Sequence, residues 1–266
     1  MNPLRLSLVS MQSVVGDERG NLDKMLGFIG TARVQMTDVI CFPEMCLSGY
    51  TTDSSRMNPI GRDDPLIREL MDSTANIPMT ICFGFCETGP YITQMLIREG
   101  KEIGCYRKTH LGSREKASYL AGDSLDVFRT EDAVIAMQLC WECHVPRETE
   151  TYVRRGAELI LMPHASGLGP GRRREVWDTI LPARAYDNTV FIGACNAYGE
   201  NGCGVRFGGG ITARDPKGKL IDEDYGREHM LTVDLDPEDM ERIRSGSPST
   251  MADLFFMDGY RPDLYD

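Results

Sequence analysis

The segment VIAMQLCWECH (residues 134–144) joins an apolar run to a cysteine. Its first six residues are mostly apolar and include β-branched side chains, which is typical of a buried strand. Cys140 follows this run directly. In α/β proteins the groups that bind and convert ligands gather at the carboxyl ends of the strands. The segment therefore predicts a thiol at the carboxyl edge of a buried strand.

Further apolar runs of strand length recur on both sides of this segment. They occupy residues 4–9, 39–42, 80–85, 91–97, 159–162, 190–194 and 230–235. Stretches with apolar residues at helical spacing lie at 21–34, 65–71, 147–156 and 177–188, and Gly156 is placed to end the third of them. Strands that alternate with helices predict an α/β domain. Because residues 80–107 look like two or three adjacent strands joined by turns, we expect mixed sheets.

Composition narrows the class of protein. The chain has 266 residues, of which 41% are hydrophobic and 26% charged, which fits a globular protein with one large domain. The net charge is 29 − 40 = −11, which disfavours nonspecific binding to nucleic acid or to an anionic membrane. The basic run at residues 172–174 is interpreted as a solvated face.

The chain start and the cysteines bear on the compartment. No apolar run approaches the roughly 18 residues of a membrane-spanning helix, and the first residues lack the apolar core of a signal peptide. Nine cysteines, an odd number, are interpreted as mostly reduced thiols. We therefore expect a cytoplasmic protein.

The string CWECH (residues 140–144) has three other interpretations. It matches the haem-attachment pattern C-x-x-C-H, but that attachment belongs to exported proteins. It also matches half of a zinc site, for which Cys82 and Cys86 offer a second pair, although both lie in an apolar run. A dithiol redox pair should open a helix after its strand, whereas Pro146 follows here.

A hydrolytic site fits the surroundings better. A nucleophilic thiol needs a base and a cation that stabilises developing negative charge. Glu44 follows the apolar run at 39–42, and Lys108 follows the last of the adjacent strands. A carboxylate, an ammonium and the thiol of Cys140 at three strand ends form a plausible constellation, although charged residues at strand ends are often only solvated.

Three segments carry a family resemblance. FPEMCLSGY (residues 42–50), YRKTHL (106–111) and LCWE (139–142) resemble, in this order, the signature segments of the nitrilase superfamily of carbon–nitrogen hydrolases. The resemblance implies a four-layer α-β-β-α sandwich in a single carbon–nitrogen hydrolase domain over residues 1–266. It also implies protomers that pair into a homodimer or a larger homo-oligomer.

The resemblance also assigns roles. Cys140 would be the nucleophile, Glu44 the general base and proton donor, and Lys108 the cation that stabilises the tetrahedral intermediate, together with the backbone N–H of Trp141. Glu115 would be a second carboxylate that positions the substrate. Because an ammonium favours a thiolate, we expect Lys108 to lower the pKa of Cys140.

Residues expected to line the substrate pocket are Tyr50, Tyr119, Trp141, His144 and His164. His144 and His164 are also interpreted as structural histidines. Loops at 50–59, 115–119, 144–146 and 164–174 are expected to set the selectivity.

The predicted reaction is hydrolysis of a small linear amide or an N-carbamoyl amine through a thioester on Cys140, with release of ammonia. No metal or organic cofactor is expected. The alternatives are a nitrilase that acts on R–CN and a non-catalytic member of the superfamily that binds a small molecule.

Overall fold

The computed structural model describes residues 1–246 and 250–264. Within them the chain forms fourteen strands and five α-helices. The strands are β1 (Leu4–Ser10), β2 (Val39–Cys41), β3 (Thr80–Glu87), β4 (Tyr91–Arg98), β5 (Lys101–Arg107), β6 (Val127–Arg129), β7 (Val134–Met137), β8 (Leu159–His164), β9 (Phe191–Asn196), β10 (Tyr198–Glu200), β11 (Arg206–Gly208), β12 (Ile211–Arg214), β13 (Leu220–Asp224) and β14 (His229–Leu235). The helices are α1 (Glu18–Val34), α2 (Pro65–Ser73), α3 (Pro146–Arg154), α4 (Pro170–Asn188) and α5 (Glu238–Arg244).

Two six-stranded sheets form the centre of the molecule. The first has the order β14-β1-β2-β3-β4-β5, and the second has the order β13-β12-β9-β8-β7-β6. In the first sheet β1, β2 and β3 are parallel, and β5 runs in the same direction because β4 is antiparallel to both of its neighbours. In the second sheet β7, β8 and β9 are parallel. The predicted mixed sheets are therefore confirmed.

The alternation along β1 shows how the layers stack. Leu6 and Leu8 are fully buried on the face toward the second sheet, whereas Val9 packs with the buried side of α1. Gly193 of β9 permits the close contact between the sheets, since a Cβ there would lie 2.8 Å from a methyl of Leu6. With α1 and α2 packed on the first sheet and α3 and α4 on the second, the predicted four-layer sandwich is confirmed.

Helix starts follow ordinary capping chemistry. The Asp17 carboxylate accepts the N–H of Gly20 at the start of α1, and Asp64 does the same for Leu66 in α2. Proline occupies the first turn of α2, α3 and α4, where its missing N–H costs nothing. The predicted C-cap is confirmed: Gly156 has a φ of +96° just beyond α3. Within the described part of the chain, no helix combines the length and the apolar character needed to cross a bilayer.

Candidate active site

The edge of the first sheet brings Glu44 and Lys108 together. Lys108 directly follows β5, and Glu44 lies three residues after β2, at the same edge because the two strands run in the same direction. Met45 has a positive φ of 54°, so the chain turns sharply just after Glu44. Gly84 accommodates this turn, because a Cβ at that position would lie 2.5 Å from the backbone nitrogen of Met45.

Glu44, Lys108 and Glu115 form a buried ion cluster. The Lys108 Nζ donates to Glu44 Oε1 at 2.7 Å and to Glu115 Oε1 at 2.8 Å. All three side chains are almost completely buried. Further donors fix the carboxylates: the backbone N–H of Ala165 binds Glu44 Oε2 at 2.9 Å, and the Tyr50 hydroxyl binds Glu115 Oε1 at 2.9 Å. Two carboxylates therefore share one ammonium in a site with little water.

The second sheet contributes Cys140, at the start of a short 3₁₀ turn after β7 (Cys140–His144). Its φ is +46°, a left-handed conformation that is uncommon for residues other than glycine. Such strained residues cluster at functional sites, where the surrounding structure holds them in place. The charges of Glu44, Lys108 and Glu115 all act on the thiol, which places Cys140 beside the ion cluster. The three predicted catalytic residues are thus brought together.

Opposing electrostatic effects act on the thiol of Cys140. Burial and the Glu44 carboxylate raise the pKa of Cys140, and Lys108 offsets only part of this effect. Lys108 thus lowers the pKa of Cys140 as expected, but burial and the two carboxylates raise it by more, so the thiol is neutral in the resting site. Burial also raises the pKa of Glu44 to about 7, although Lys108 opposes the change. The neighbouring carboxylates raise the pKa of Lys108, so it stays an ammonium despite its burial.

Glu142, which was not among the predicted site residues, shapes the nucleophile turn. One of its oxygens accepts the N–H of Leu139 at 2.7 Å, and the other accepts the N–H groups of Thr109 at 2.7 Å and His110 at 3.0 Å. The carboxylate thereby ties the turn that holds Cys140 to the loop that follows Lys108. The signal for this role in the sequence is a carboxylate two residues after the thiol.

A second buried carboxylate, Glu148, adjoins this link. It lies in the first turn of α3 and accepts bonds from Thr109 Oγ1 at 2.8 Å and Gln138 Nε2 at 3.1 Å. Burial raises the pKa of Glu148 to about 7, and burial together with Glu148 raises the pKa of Glu142 to about 7. Glu142, Glu148 and His110 place their potential metal-ligand atoms within 4.8 Å of one another. Donors from the protein already bind both carboxylates, so we interpret the group as hydrogen bonds that connect two loops rather than as a metal site.

A cavity of about 290 Å³ adjoins the ion cluster. Tyr50 and Ala165 belong both to its wall and to the hydrogen bonds that hold Glu115 and Glu44. The remaining wall combines apolar side chains with a few polar ones: Thr51, Thr52, Asp53, Arg114, Gly167, Cys203, Val205 and Phe207. A small-molecule site of this kind is concave and carries a few oriented polar groups.

The other residues predicted to line the pocket lie in different surroundings. Tyr119 is buried, and its hydroxyl donates to the carbonyl of Thr51. Trp141 is 51% exposed, and its ring packs against that of His144 with centroids 5.1 Å apart. These two side chains lie on the surface and are absent from the cavity wall.

His164 is fully buried at the end of β8. Its Nδ1 lies 2.8 Å from the carbonyl of Met162, and its Nε2 accepts the indole N–H of Trp177 at 3.2 Å. Burial and the charge of Arg173 lower the pKa of His164 well below its ordinary value, so the ring is neutral. Both nitrogens are engaged within the protein and the side chain is absent from the cavity wall, so its substrate-binding role stays a prediction.

The basic run at 172–174 is only partly a solvated face. Arg172 and Arg174 are exposed, but Arg173 is only 3% exposed, and its guanidinium lies over the Trp177 ring at 4.8 Å. The interpretation of the run as solvated surface is therefore wrong for its middle residue. The reason is that α4 begins at Pro170, seven residues before the predicted start, so the run lies on a helix with one buried face.

Comparison with known proteins gives the family. The sequence profile of the carbon-nitrogen hydrolases matches residues 5–245. This chain belongs to the carbon-nitrogen hydrolase family. It is 26% identical to an (R)-stereoselective amidase of Pseudomonas sp., over 88% of this chain and 86% of the relative. It is 25% identical to the N-carbamoylputrescine amidase of Oryza sativa subsp. japonica, over 98% of this chain and 93% of the relative.

The solved structure of an amidase from Nesterenkonia, a member of the nitrilase superfamily, has the same fold. It superimposes with a TM-score of 0.83 over 98% of this chain and 95% of that chain, at 22% identity. In a variant of that amidase, the acetamide moiety of fluoroacetamide is covalently attached to the active-site cysteine.

Proposed function

We propose that this chain is a thiol hydrolase that cleaves the C–N bond of a small linear amide or N-carbamoyl amine. The observation that carries the proposal is the buried cluster of Glu44, Lys108 and Glu115 beside Cys140, a thiol held in a strained turn. Membership of the carbon-nitrogen hydrolase family and the amide-cleaving activities named for its relatives support the reaction class.

Acylation begins with a neutral thiol. The Glu44 carboxylate takes the proton of Cys140 as the sulfur attacks the carbonyl carbon, because a base with a pKa of about 7 is matched to neutral pH. The carbonyl oxygen becomes an oxyanion that Lys108 stabilises. The N–H groups that begin a helical turn have no partner inside it, so the backbone N–H of Trp141 serves as a second donor.

Collapse of this intermediate breaks the C–N bond. Glu44 returns its proton to the leaving nitrogen, ammonia departs, and a thioester remains on Cys140. A water molecule then gives one proton to Glu44 while its oxygen attacks the thioester carbon. Release of the acid returns that proton to the sulfur, so each group ends the cycle in its starting form.

Glu115 acts as a positioning residue in this scheme. It shares the ammonium of Lys108 with Glu44 and is itself held by Tyr50 and by the N–H of Gly112 at 2.6 Å. The adjoining cavity of about 290 Å³ is at the small end of the range for ligand sites, which favours small substrates.

The test is a screen of small amides, N-carbamoyl amines and nitriles for ammonia release, with intact-mass detection of an acyl adduct. A Cys140→Ser variant serves as the blank. Turnover of amides or carbamoyl compounds that depends on Cys140 supports the proposal. Turnover of nitriles alone identifies a nitrilase. If no class is turned over while Cys140 remains alkylatable, the proposal is overturned in favour of a binding protein.

We also propose that the enzyme works as a homodimer or larger homo-oligomer in the cytoplasm. The reduced state of nine cysteines, all free in the structure, favours that compartment. Light scattering coupled to size-exclusion chromatography measures the mass of the assembly. A mass below that of a dimer at micromolar concentration contradicts the proposed oligomer.

A further inference from the structure

Arg173 is a buried cation for which the described part of the chain offers no counterion. It lies in the first turn of α4 and is 3% exposed. Its guanidinium carbon lies 4.8 Å from the centre of the Trp177 ring. Among the described residues, none accepts a hydrogen bond from this side chain or forms an ion pair with it, and its Nε is sealed from solvent without a partner. Arg172, its exposed neighbour, is paired with Glu175 at 2.7 Å.

The absence of a counterion calls for an explanation. An arginine side chain stays charged in proteins, and burying a charge is costly unless an anion or several hydrogen bonds compensate it. Arg173 interacts electrostatically with the thiols of Cys140 and Cys143, the hydroxyl of Tyr225 and the rings of His144 and His164, none of which is a carboxylate. Stacking on the Trp177 ring offsets only part of such a cost.

Arg173 lies near the nucleophile, because α4 packs against the turn that holds Cys140 and the guanidinium interacts electrostatically with the thiol. The segment just before α4 forms part of the site, because the N–H of Ala165 binds Glu44 and both Ala165 and Gly167 line the cavity. The first turn of α4 carries no acidic residue, and no side chain caps its N–H groups. The positive end of the helix dipole and the guanidinium therefore reinforce each other near Cys140.

We propose that Arg173 binds a carboxylate on the substrate, so that the preferred substrates are amides or N-carbamoyl compounds that carry an anionic group away from the scissile carbon. The inference rests on the function proposed above and narrows its substrate class. The fixed fork of a guanidinium suits a carboxylate, with which it forms two parallel hydrogen bonds. The bound anion supplies the charge that no residue of 1–246 or 250–264 places beside Arg173.

Alkylation of Cys140 tests the anion site without knowledge of the substrate. Iodoacetate and iodoacetamide transfer the same carbon to the sulfur, but only the first is an anion. Rates at Cys140, followed by peptide mass spectrometry, are compared in wild type, Arg173→Met, Arg173→Lys and the control Arg172→Met. We expect Arg173→Met to lower the ratio of the iodoacetate to the iodoacetamide rate by about tenfold, the size of one charge-assisted hydrogen bond.

The other outcomes are decisive as well. Arg173→Lys should keep part of the preference because it keeps the charge, and Arg172→Met should keep all of it. An unchanged ratio in Arg173→Met overturns the inference. Equal slowing of both reagents also overturns it, because Arg173 would then be stabilising the thiolate rather than an incoming anion. Circular dichroism and Tm verify that each variant is folded.

Two matched pairs of substrates extend the test to turnover. Succinamic acid is compared with butyramide, and N-carbamoyl-β-alanine with propylurea, since each pair differs only in a carboxyl group in place of a methyl group. We expect Arg173→Met to raise KM for the anionic member about tenfold or more and to leave the neutral member unchanged. If wild type releases no ammonia from any amide, carbamoyl compound or nitrile, the proposed function fails, whereas the alkylation ratio still decides the anion site.

Discussion

Replacing Lys108 by methionine removes the only cation of the buried cluster and keeps most of its volume. The Nζ atom lies 2.7 Å from Glu44 Oε1 and 2.8 Å from Glu115 Oε1, so the variant leaves two carboxylates facing each other without an ammonium. Breaking a buried ion pair costs about 3–5 kcal/mol. An unfolding entropy of about 2.1 cal/mol/K per residue gives about 0.56 kcal/mol/K for the chain, so Tm should fall by roughly 5–9 °C at neutral pH.

This loss should depend on pH in a definite direction. The carboxylates can avoid the buried charge by binding protons, and the pKa of Glu44, already raised to about 7, rises further without Lys108. An acid whose pKa is higher in the folded state binds more protons there than in the unfolded chain, so stability falls as pH rises between the two pKa values. The Tm of Lys108→Met should therefore lie only slightly below that of wild type near pH 5, and the full difference in Tm should appear at pH 8.

Activity should fall more steeply than stability. Loss of one oxyanion donor costs about 10²–10³ in kcat, and protonation of Glu44 at neutral pH removes the base as well. Ammonia release by Lys108→Met should therefore drop at least about 100-fold at pH 7. The double variant Lys108→Met/Glu44→Gln should recover part of the lost Tm at pH 8 and none of the activity. Retention of more than about a tenth of wild-type kcat/KM, or a Tm deficit independent of pH, would refute this account.

Three further outcomes concern single residues. Cys140→Ser should lower ammonia release by at least about 10³-fold and abolish the acyl adduct in intact-mass spectra, because an alkoxide forms far less readily than a thiolate. For wild type, kcat/KM should rise with pH through about 7 as Glu44 ionises, whereas the residual rate of Glu44→Gln should not follow this titration; identical pH profiles would exclude Glu44 as the base. Glu148 has its pKa raised from 4.5 to about 7, so wild type should lose up to about 3 kcal/mol of stability between pH 4.5 and 8 through this group. In denaturant titrations, Glu148→Gln should remove that part of the pH dependence of the free energy of unfolding. The same dependence in the variant and in wild type would contradict this role of Glu148.

Long apolar runs made most of the fold predictable. Strands such as β3 and β8 are buried on both faces, so their sequences are mostly apolar and can be recognised without knowledge of the neighbouring strands. The short strands β10 and β11 were not predictable in this way, because they have three residues each, contain glycine and have one exposed end each. Helix propensity also failed to predict the start of α4, because residues 169–171 are Gly-Pro-Gly. Proline is tolerated in the first helical turn, so the helix begins inside a stretch that is typical of a loop.

The residues of the site were likewise predictable only in part. Glu44, Lys108 and Cys140 each follow a recognisable strand, and strand direction places the first two at the same edge of the first sheet. Glu142 and Arg173 could not be placed, since their roles depend on which backbone or ring they meet in the folded chain. A carboxylate near a thiol and an arginine in a basic run are ordinary surface residues in most sequences. Because Glu142 is buried, it holds the turn of the nucleophile in place by hydrogen bonds, and because Arg173 is buried, its charge needs compensation.

Two carboxylates around one ammonium, together with burial, keep the thiol of Cys140 neutral before the reaction. With Glu44 and Glu115 ionised, the cluster carries a net charge of −1, so a resting thiolate would bring the buried total to −2. When Glu44 takes the thiol proton during attack, it becomes neutral as the same unit of negative charge appears on the substrate oxygen. The total charge of the buried site is then the same before and after the step, and the charge only moves toward Lys108. In a medium of low dielectric constant, moving a charge over a few ångströms costs far less than creating one.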